Sequence, residues 1–254
     1  MHRFYLPPTE CHGNTLTLNG AEAHHALDVV RVRPGERVVV LDGAGCEYLC
    51  QVSGTDRHAV RLELMQRSAN PKPESEVVLV QAVAKQKSME MIVQKATELG
   101  AARIIPVLSE RSVPQVEGEA AEKKGEKWLA IAIEAMKQCG CPWLPQLEAP
   151  LGVSEFLARG EGFELALLAS LQPGSRHPRD YFRTFQSEHK RTPRRVGVWV
   201  GPEGDFTPAE LNTIKAAGAL PITLGPMVLR SETAAMYCLA VLSYELQAAK
   251  AGAA

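Results

Sequence analysis

The stretch VWVGPEGDF, residues 198–206, carries an apolar run straight into Gly-Pro-Glu-Gly-Asp. A capping box follows at once: Thr207 at the cap, Pro208 in the first helical position and Glu210 three residues after the cap. A strand therefore ends near 200, a helix begins near 207, and the loop between them is only 201–206. Glycine opens backbone angles closed to other residues and lets a ligand approach the main chain. A tight strand-to-helix turn would account for this loop taken alone. The arrangement recurs in ITLGPMVLRSETA, residues 222–234, where an apolar run again meets Gly-Pro, a loop and a helix. Here the loop holds apolar Met227, Val228 and Leu229, which suits a pocket wall. A rigid glycine turn beside an apolar wall fits a flat heteroaromatic ring whose polar edge is met by main-chain groups. Arg230 and Glu232 stand at the helix start, where a polar substrate can be reached.

Outward from these loops the chain alternates. VVLVQAVA (77–84), RIIPVLS (103–109), ELALLAS (164–170), RVGVWV (195–200) and PITLG (221–225) read as strands. SMEMIVQKATELG (88–100) reads as a helix with Ser88 as cap and Gly100 as terminator, and residues 119–138 as another. The alternation predicts an α/β fold with a mostly parallel sheet covered on both faces, whose ligands bind beyond the carboxyl ends of the strands. Before residue 67 the pattern differs. RVVVLDG (37–43), EYLCQVSG (47–54) and AVRLELM (59–65) predict a small antiparallel barrel or sandwich, with a short helix over AEAHHALDVVRV (21–32). SANPKPESE (68–76) is the linker, which sets domains of 1–72 and 73–254.

The 254 residues are 45% hydrophobic and 22% charged with a net charge of −1, so bulk charge names no partner. The six cysteines show neither a zinc-type spacing nor a disulfide framework, and no metal is expected; reduced thiols in a cytoplasm are. The start MHRFYLPPTE lacks the apolar region of a secretory signal, and no run is long enough to span a membrane. No GxGxxG follows a strand and no GxxxxGK[ST] occurs, which argues against a Rossmann dinucleotide site and a P-loop.

GPEGDF followed by LGPMVLRSETA resembles the paired signature of the SPOUT methyltransferases, and within them the RsmE family. HHALDVVRVRPGERVVVLDGAGCEY (24–48) is similar to that family's PUA-like RNA-binding barrel. QKATELG (94–100), ERSV (110–113) and EAMKQCG (134–140) are similar to further family segments. The resemblance covers nearly the whole chain. It implies S-adenosylmethionine-dependent methylation of N3 of a uridine in small-subunit (16S) ribosomal RNA, by a homodimer whose catalytic domain carries a C-terminal trefoil knot. It implies that Ala169, Gly201, Glu203, Gly204, Leu224, Gly225, Val228 and Leu229 surround the cofactor, and that the final helix, SETAAMYCLAVLSYEL (231–246), helps build the dimer.

The implied partner is the 16S rRNA or the small ribosomal subunit. Arg3, His25, Arg31, Lys85, Lys87 and Arg111 are the candidate RNA contacts. The stretch 176–195 carries seven Arg or Lys against Asp180 and Glu188, and reads first as a solvated helix and loop. Methylation at N3 requires loss of a proton. Arg230 is the candidate catalytic cation for the charge that develops on the base, and Glu232 or Glu203 the candidate proton acceptor. Four positions depart from the family pattern: Asp205 where Gly is usual, Met227 and Cys141 where Arg is found, and Ser231 where Thr is usual. Two other readings stay open: a SPOUT enzyme acting on a different RNA base, and a non-catalytic RNA-binding or ribosome-assembly protein that kept the fold.

Overall fold

The computed structural model describes residues 1–112 and 119–251, with side-chain surroundings for all of these except 119–121 and 247–251. Val113, the last residue of the ERSV segment, lies outside the described residues. The chain forms two units, Met1–Lys72 with Ile133–Leu144, and Pro73–Ala132 with Pro145–Ala254. The linker near 72 separates them. The segment 133–144, which the sequence reading left in the second domain, belongs to the first unit, joined to it by main-chain bonds of Pro142 and Leu144: Gly45 N–H donates to Pro142 O and Leu144 N–H to Gly43 O.

The first unit is a five-stranded sheet of β1 (His2–Tyr5), β2 (Thr15–Leu18), β3 (Arg37–Leu41), β4 (Cys46–Thr55) and β5 (Val60–Ala69), in the order β1-β3-β4-β5-β2. Most pairs are antiparallel, as the hairpin spacing predicts. β1 departs from that expectation by pairing parallel with β3, His2 opposite Val38. The turn from β3 to β4 is set by Asp42, whose Oδ1 accepts from the Ala44 and Cys46 N–H groups at 2.8 and 2.9 Å. Gly45 in that turn has φ +98, and a Cβ there would collide with the Trp143 ring. Phe4, Leu16, Leu18, Val38, Val40, Val60 and Leu62 fill the core of the unit.

The short helix begins at Gly20 rather than Ala21 and changes character midway. α1 (Gly20–His24) continues as a π-helical turn over His25–Val30, and Arg31 ends it in the left-handed conformation at φ 59. Such wide turns recur at functional positions. Burial pushes the Cys11 and Cys50 thiols up to about 11, so both act as small apolar side chains.

The second unit holds β6 (Glu76–Ala82), β7 (Arg103–Leu108), the two-residue strands β8 (Gln146–Leu147) and β9 (Leu151–Gly152), β10 (Leu165–Ala169), β11 (Arg195–Val200) and β12 (Leu220–Ile222). The order is β12-β10-β11-β6-β7-β8, with β9 also on β7, and every pair is parallel. Helices α2 (Gln86–Glu98), α4 (Val153–Ala158), α5 (Pro178–His189), α6 (Pro208–Ala216) and α7 (Ser231–Ala251) belong to this unit, as does α3 (Glu119–Cys139) up to Ala132. Alternate residues of β6 face opposite ways. Val78, Val80 and Ala82 join Trp199, Phe156, Phe206, Leu211 and Ile214 in one core layer, while α7 packs on α2 and reaches β6 and β11.

The capping box at Thr207 is formed: its side chain accepts from the Glu210 N–H at 3.3 Å and Glu210 Oε2 accepts from the Thr207 N–H at 2.8 Å. Ser88 is not a cap. Helix α2 starts two residues earlier, with Lys85 in the cap position and no side-chain cap, because Gln86 and Lys87 continue the helix and Gln86 bonds Glu90 at 3.0 Å. Gly100 ends it at φ +79, as expected.

At the amino ends of the strands, Arg103 opens β7 between Glu148 and Glu161, Arg195 opens β11 against Glu161 at 2.6 Å, and Arg159 bonds Glu148 at 2.8 Å. Glu161 beside it holds the Arg103 guanidinium well above the usual arginine range. This lattice of charges stabilises the end of the sheet away from the Gly-Pro loops.

Candidate active site

β10, β11 and β12 run parallel, so the loops that leave them emerge at one end of the sheet. Those three loops enclose a cavity of about 690 Å³. The first wall is the segment after β10, the second Gly201–Asp205, the third Thr223–Leu229 with Ser231 and Ala234.

Each wall is held by its own bonds. After β10, the Ser170 N–H donates to Ile222 O at 3.1 Å and the Ser175 hydroxyl to Gln172 O at 2.8 Å. In the second loop the Asp205 N–H donates to Pro202 O at 3.0 Å, and Asp205 Oδ1 accepts from the Phe206 N–H at 2.8 Å. Asp205 has φ 60, a left-handed conformation that Gly, Asn and Asp tolerate best. Aspartate is therefore accepted at a position where the resemblance leads one to expect glycine. Gly201 approaches closely: a Cβ would stand 3.1 Å from Asp205 Oδ1 and 3.3 Å from the Phe206 ring. In the third loop the Gly225 N–H donates to Thr223 Oγ1 at 3.2 Å, with φ +102 at the glycine.

A buried relay joins this third loop to the sheet. Gln81, fully buried at the carboxyl end of β6, donates from Nε2 to Ser231 Oγ at 3.0 Å, and the Ser231 hydroxyl donates to Gly201 O at 2.7 Å. The start of α7 is thus tied to the first glycine of the GPEGDF loop. On the other flank, Arg111 Nη1 donates to Gly204 O at 2.8 Å, and the buried Glu210 accepts from the Glu110 N–H at 2.9 Å.

All eight residues expected around a cofactor, Ala169, Gly201, Glu203, Gly204, Leu224, Gly225, Val228 and Leu229, line the cavity. Arg230 and Glu232 do not line it; Arg230 is exposed, Glu232 half-buried, and Ser231 between them faces the cavity. Leu224, Val228 and Leu229 give it an apolar side, and the carboxylates of Glu203 and Asp205 favour a ligand that carries positive charge.

Two family models match this chain: an RNA methyltransferase domain over residues 70–243 and an RNA methyltransferase PUA domain over 18–65. The ribosomal RNA small subunit methyltransferase E of Aquifex aeolicus is 32% identical over 95% of this chain and 99% of its own length. The chain belongs to this RNA methyltransferase family. The enzyme of the same name from Bacillus subtilis is 28% identical over 97% of this chain and 98% of its own. Among solved structures, a putative methyltransferase of Legionella pneumophila in complex with SAM superposes with a TM-score of 0.86 at 32% identity, covering 97% of each chain. The Neisseria gonorrhoeae methyltransferase E, bound to S-adenosyl methionine, gives 0.82 at 28% identity over 95% of this chain and 96% of its own.

Within this RNA methyltransferase chain the remaining expected residues scatter. Lys85 and Lys87 are exposed at the start of α2, and Arg111 leans on the glycine loop. Arg3, His25 and Arg31 belong to the first unit. In the basic stretch, Arg179 pairs with Glu245 at 3.0 Å, Arg191 with Glu164 at 2.7 Å and Arg195 with Glu161 at 2.6 Å. Those three cations are engaged within the unit. Among the described residues no three His, Cys, Asp or Glu side chains are grouped to hold a metal, and no helix is long and apolar enough to cross a membrane.

Sequence reading missed Gln81, Thr223 and the wall from Leu171 to Ser175. The only local signal for that wall was Gln-Pro-Gly directly after a buried strand.

Proposed function

We propose that this chain methylates N3 of a uridine in small-subunit (16S) ribosomal RNA, with S-adenosylmethionine held in the three-loop cavity. The observation that carries the reading is the cavity itself, in a chain of this family: two glycine loops, an apolar side and two carboxylates at a size that accepts a nucleoside. Relatives over nearly the whole length are named small-subunit rRNA methyltransferases, and two solved neighbours hold SAM.

Main-chain groups of Gly201, Gly204 and Gly225, with the apolar side chains of Leu224, Val228 and Leu229, would hold the adenine. The carboxylates of Glu203 and Asp205, which line the same cavity, would favour the positive charge of the sulfonium. Bound SAM supplies an electrophilic methyl group. Arg230, at the start of α7, stabilises the negative charge that builds on the uracil oxygens as N3 loses its proton. Glu232 or Glu203 accepts that proton. The relay from Gln81 through Ser231 to Gly201 keeps the start of α7 against the cavity while this happens.

The amino-terminal domain, 1–72, serves as the RNA-binding domain, and Arg3, His25, Arg31, Lys85, Lys87 and Arg111 meet the RNA. The trefoil knot belongs to the same reading, supported by β12 pairing with β10 while the segment beyond it returns to Gly201 and Gln81. We assign a homodimer formed through α7, on which Tyr237, Ala240 and Tyr244 share one exposed face, and a cytoplasmic location with the ribosome.

The deciding experiment is methyl transfer from labelled SAM to undermethylated small subunits, with free 16S rRNA alongside, and mapping of the product base. N3-methyluridine at one site is the expected product. Another methylated base or RNA moves the assignment within the family, and neither SAM binding nor transfer hands the chain to a non-catalytic role.

A further inference from the structure

The first unit contains a second, smaller cleft of about 230 Å³, lined by His2 and Arg3 of β1, by His25, and by Glu134, Lys137 and Gln138 near the end of α3. Two side chains in it are fixed in unusual ways.

Lys137 is 4% exposed, and its ammonium meets Glu22 Oε1 at 2.8 Å, Glu134 Oε1 at 2.6 Å and His25 Nδ1 at 3.3 Å. An ammonium has three donors and no lone pair. All three donors are therefore spent, and Nδ1 of His25 can only accept. A neutral imidazole that accepts at Nδ1 carries its proton on Nε2. The ring is held further by an edge contact to Phe4, centroids 5.8 Å apart at 68°.

Arg3 is fixed by the helix end. Its Nη1 donates to Lys137 O at 3.3 Å and Gln138 O at 3.1 Å, carbonyls that the last turn of α3 leaves without helical partners. The guanidinium lies over Gly140, where φ is +77 and a Cβ would stand 2.8 Å from Cζ.

Lys137 bridges the two nearby carboxylates, so Arg3 and the Nε2–H of His25 remain as preset donors beside one cavity. RNA is read in sequence mostly through unpaired nucleotides whose bases are accessible. We infer that this cleft takes one unpaired nucleotide of the RNA substrate, with His25 Nε2–H donating to a base carbonyl or phosphate oxygen beside Arg3, and that Lys137 is the positioning residue that sets the His25 tautomer. This rests on the reading of the chain as an RNA-modifying enzyme, but it concerns a different unit from the methyl-donor cavity.

The test uses the full chain with ¹⁵N-labelled histidine at about pH 8, above the ordinary histidine range, with His25 assigned by the signals lost in His25→Gln. The expected spectrum has a protonated Nε2 and a bare Nδ1. A short mixed-sequence single-stranded RNA moves the Nε2 signal. An abasic ribose-phosphate oligomer of the same length keeps that shift if a phosphate is the acceptor and loses it if a base carbonyl is. Lys137→Met mixes the tautomers and weakens RNA binding by about three- to tenfold, the value of one neutral hydrogen bond, while SAM affinity by calorimetry is unchanged. A proton on Nδ1 in the unaltered protein overturns the inference, and so does a Nε2 signal that RNA leaves in place. Both readouts are taken on the unaltered protein, and His25→Gln serves only to assign the signal. Methyl transfer to small subunits without any His25 response would sink this inference alone and leave the enzymatic reading standing.

Discussion

Arg230 and Gly225 are the residues on which the functional reading turns, and they fail in different ways. Arg230 is exposed and outside the cavity lining, so the proposed mechanism gives it a part with the RNA base and none with the methyl donor. Arg230→Ala is expected to lower turnover by about a hundredfold or more, the usual loss when one preset charge-stabilising donor is removed, with SAM affinity by calorimetry nearly unchanged. Equal loss of both would make Arg230 a structural residue. Gly225 sits at φ +102, where a side chain is strained whatever space surrounds it. Gly225→Ala is expected to cost about 1–2 kcal/mol of local stability. The loss is read as SAM affinity weakened about tenfold, with the melting of the first unit unmoved. Asp205, by contrast, occupies its left-handed position with its own side chain bonded to Phe206, so the departure from glycine carries its own compensation.

At the level of elements, the loops depend on the helices they enter. Glu210 is buried and accepts from two main-chain N–H groups, Thr207 at the cap of α6 and Glu110 after β7. Glu210→Ala leaves both donors without their carboxylate and is expected to cost about 2–3 kcal/mol. Thr207→Ala removes only the cap and is expected to cost about 1 kcal/mol. Calorimetric melting distinguishes the two, and the reverse ranking would refute this account of the loop. Glu164, beside the start of β11, has the opposite kind of tie. Its hydrogen bond to Arg191 holds its carboxyl down to about 2. A carboxylate whose folded value is depressed stabilises the fold above its unfolded value, and that contribution fades as the pH falls toward 2. Arg191→Met is expected to return the Glu164 titration, followed by carboxyl NMR, toward the ordinary glutamate range. An unchanged midpoint would mean that the Arg191 contact contributes nothing in solution.

For the whole molecule, the open question is assembly. α7 lies on α2 and the sheet, yet Tyr237 is 42% and Tyr244 62% exposed on its outer side. Aromatic side chains left on one helix face suit an interface between two copies. The unaltered chain is expected to sediment as a dimer, and Tyr244→Glu with Tyr237→Glu as a monomer that keeps its helical content. A monomeric unaltered chain would remove the dimer from the functional proposal.

Much of this protein is written in short windows of its chain. The capping box at Thr207, the glycine end of α2, the two Gly-Pro loops and the buried strand runs depend on backbone angles and side chains within a few residues, so they are legible without a structure. All eight positions expected around a cofactor line the cavity for the same reason: Ala169 ends a buried strand and the other seven sit on the loops that follow buried strands. What tertiary structure alone decided is which distant segments meet. The parallel pairing of β1 with β3, the wall from Leu171 to Ser175 whose flanking Ser170 and Arg176 bond β12, and the reach of Gln81 to Ser231 across 150 positions all follow from strand order. The burial of Lys137 against Glu22 and His25 spans a similar gap. Hydrogen bonding of this kind leaves no periodicity, because each partner is an ordinary polar residue in its own window, and only packing selects the one partner it finds.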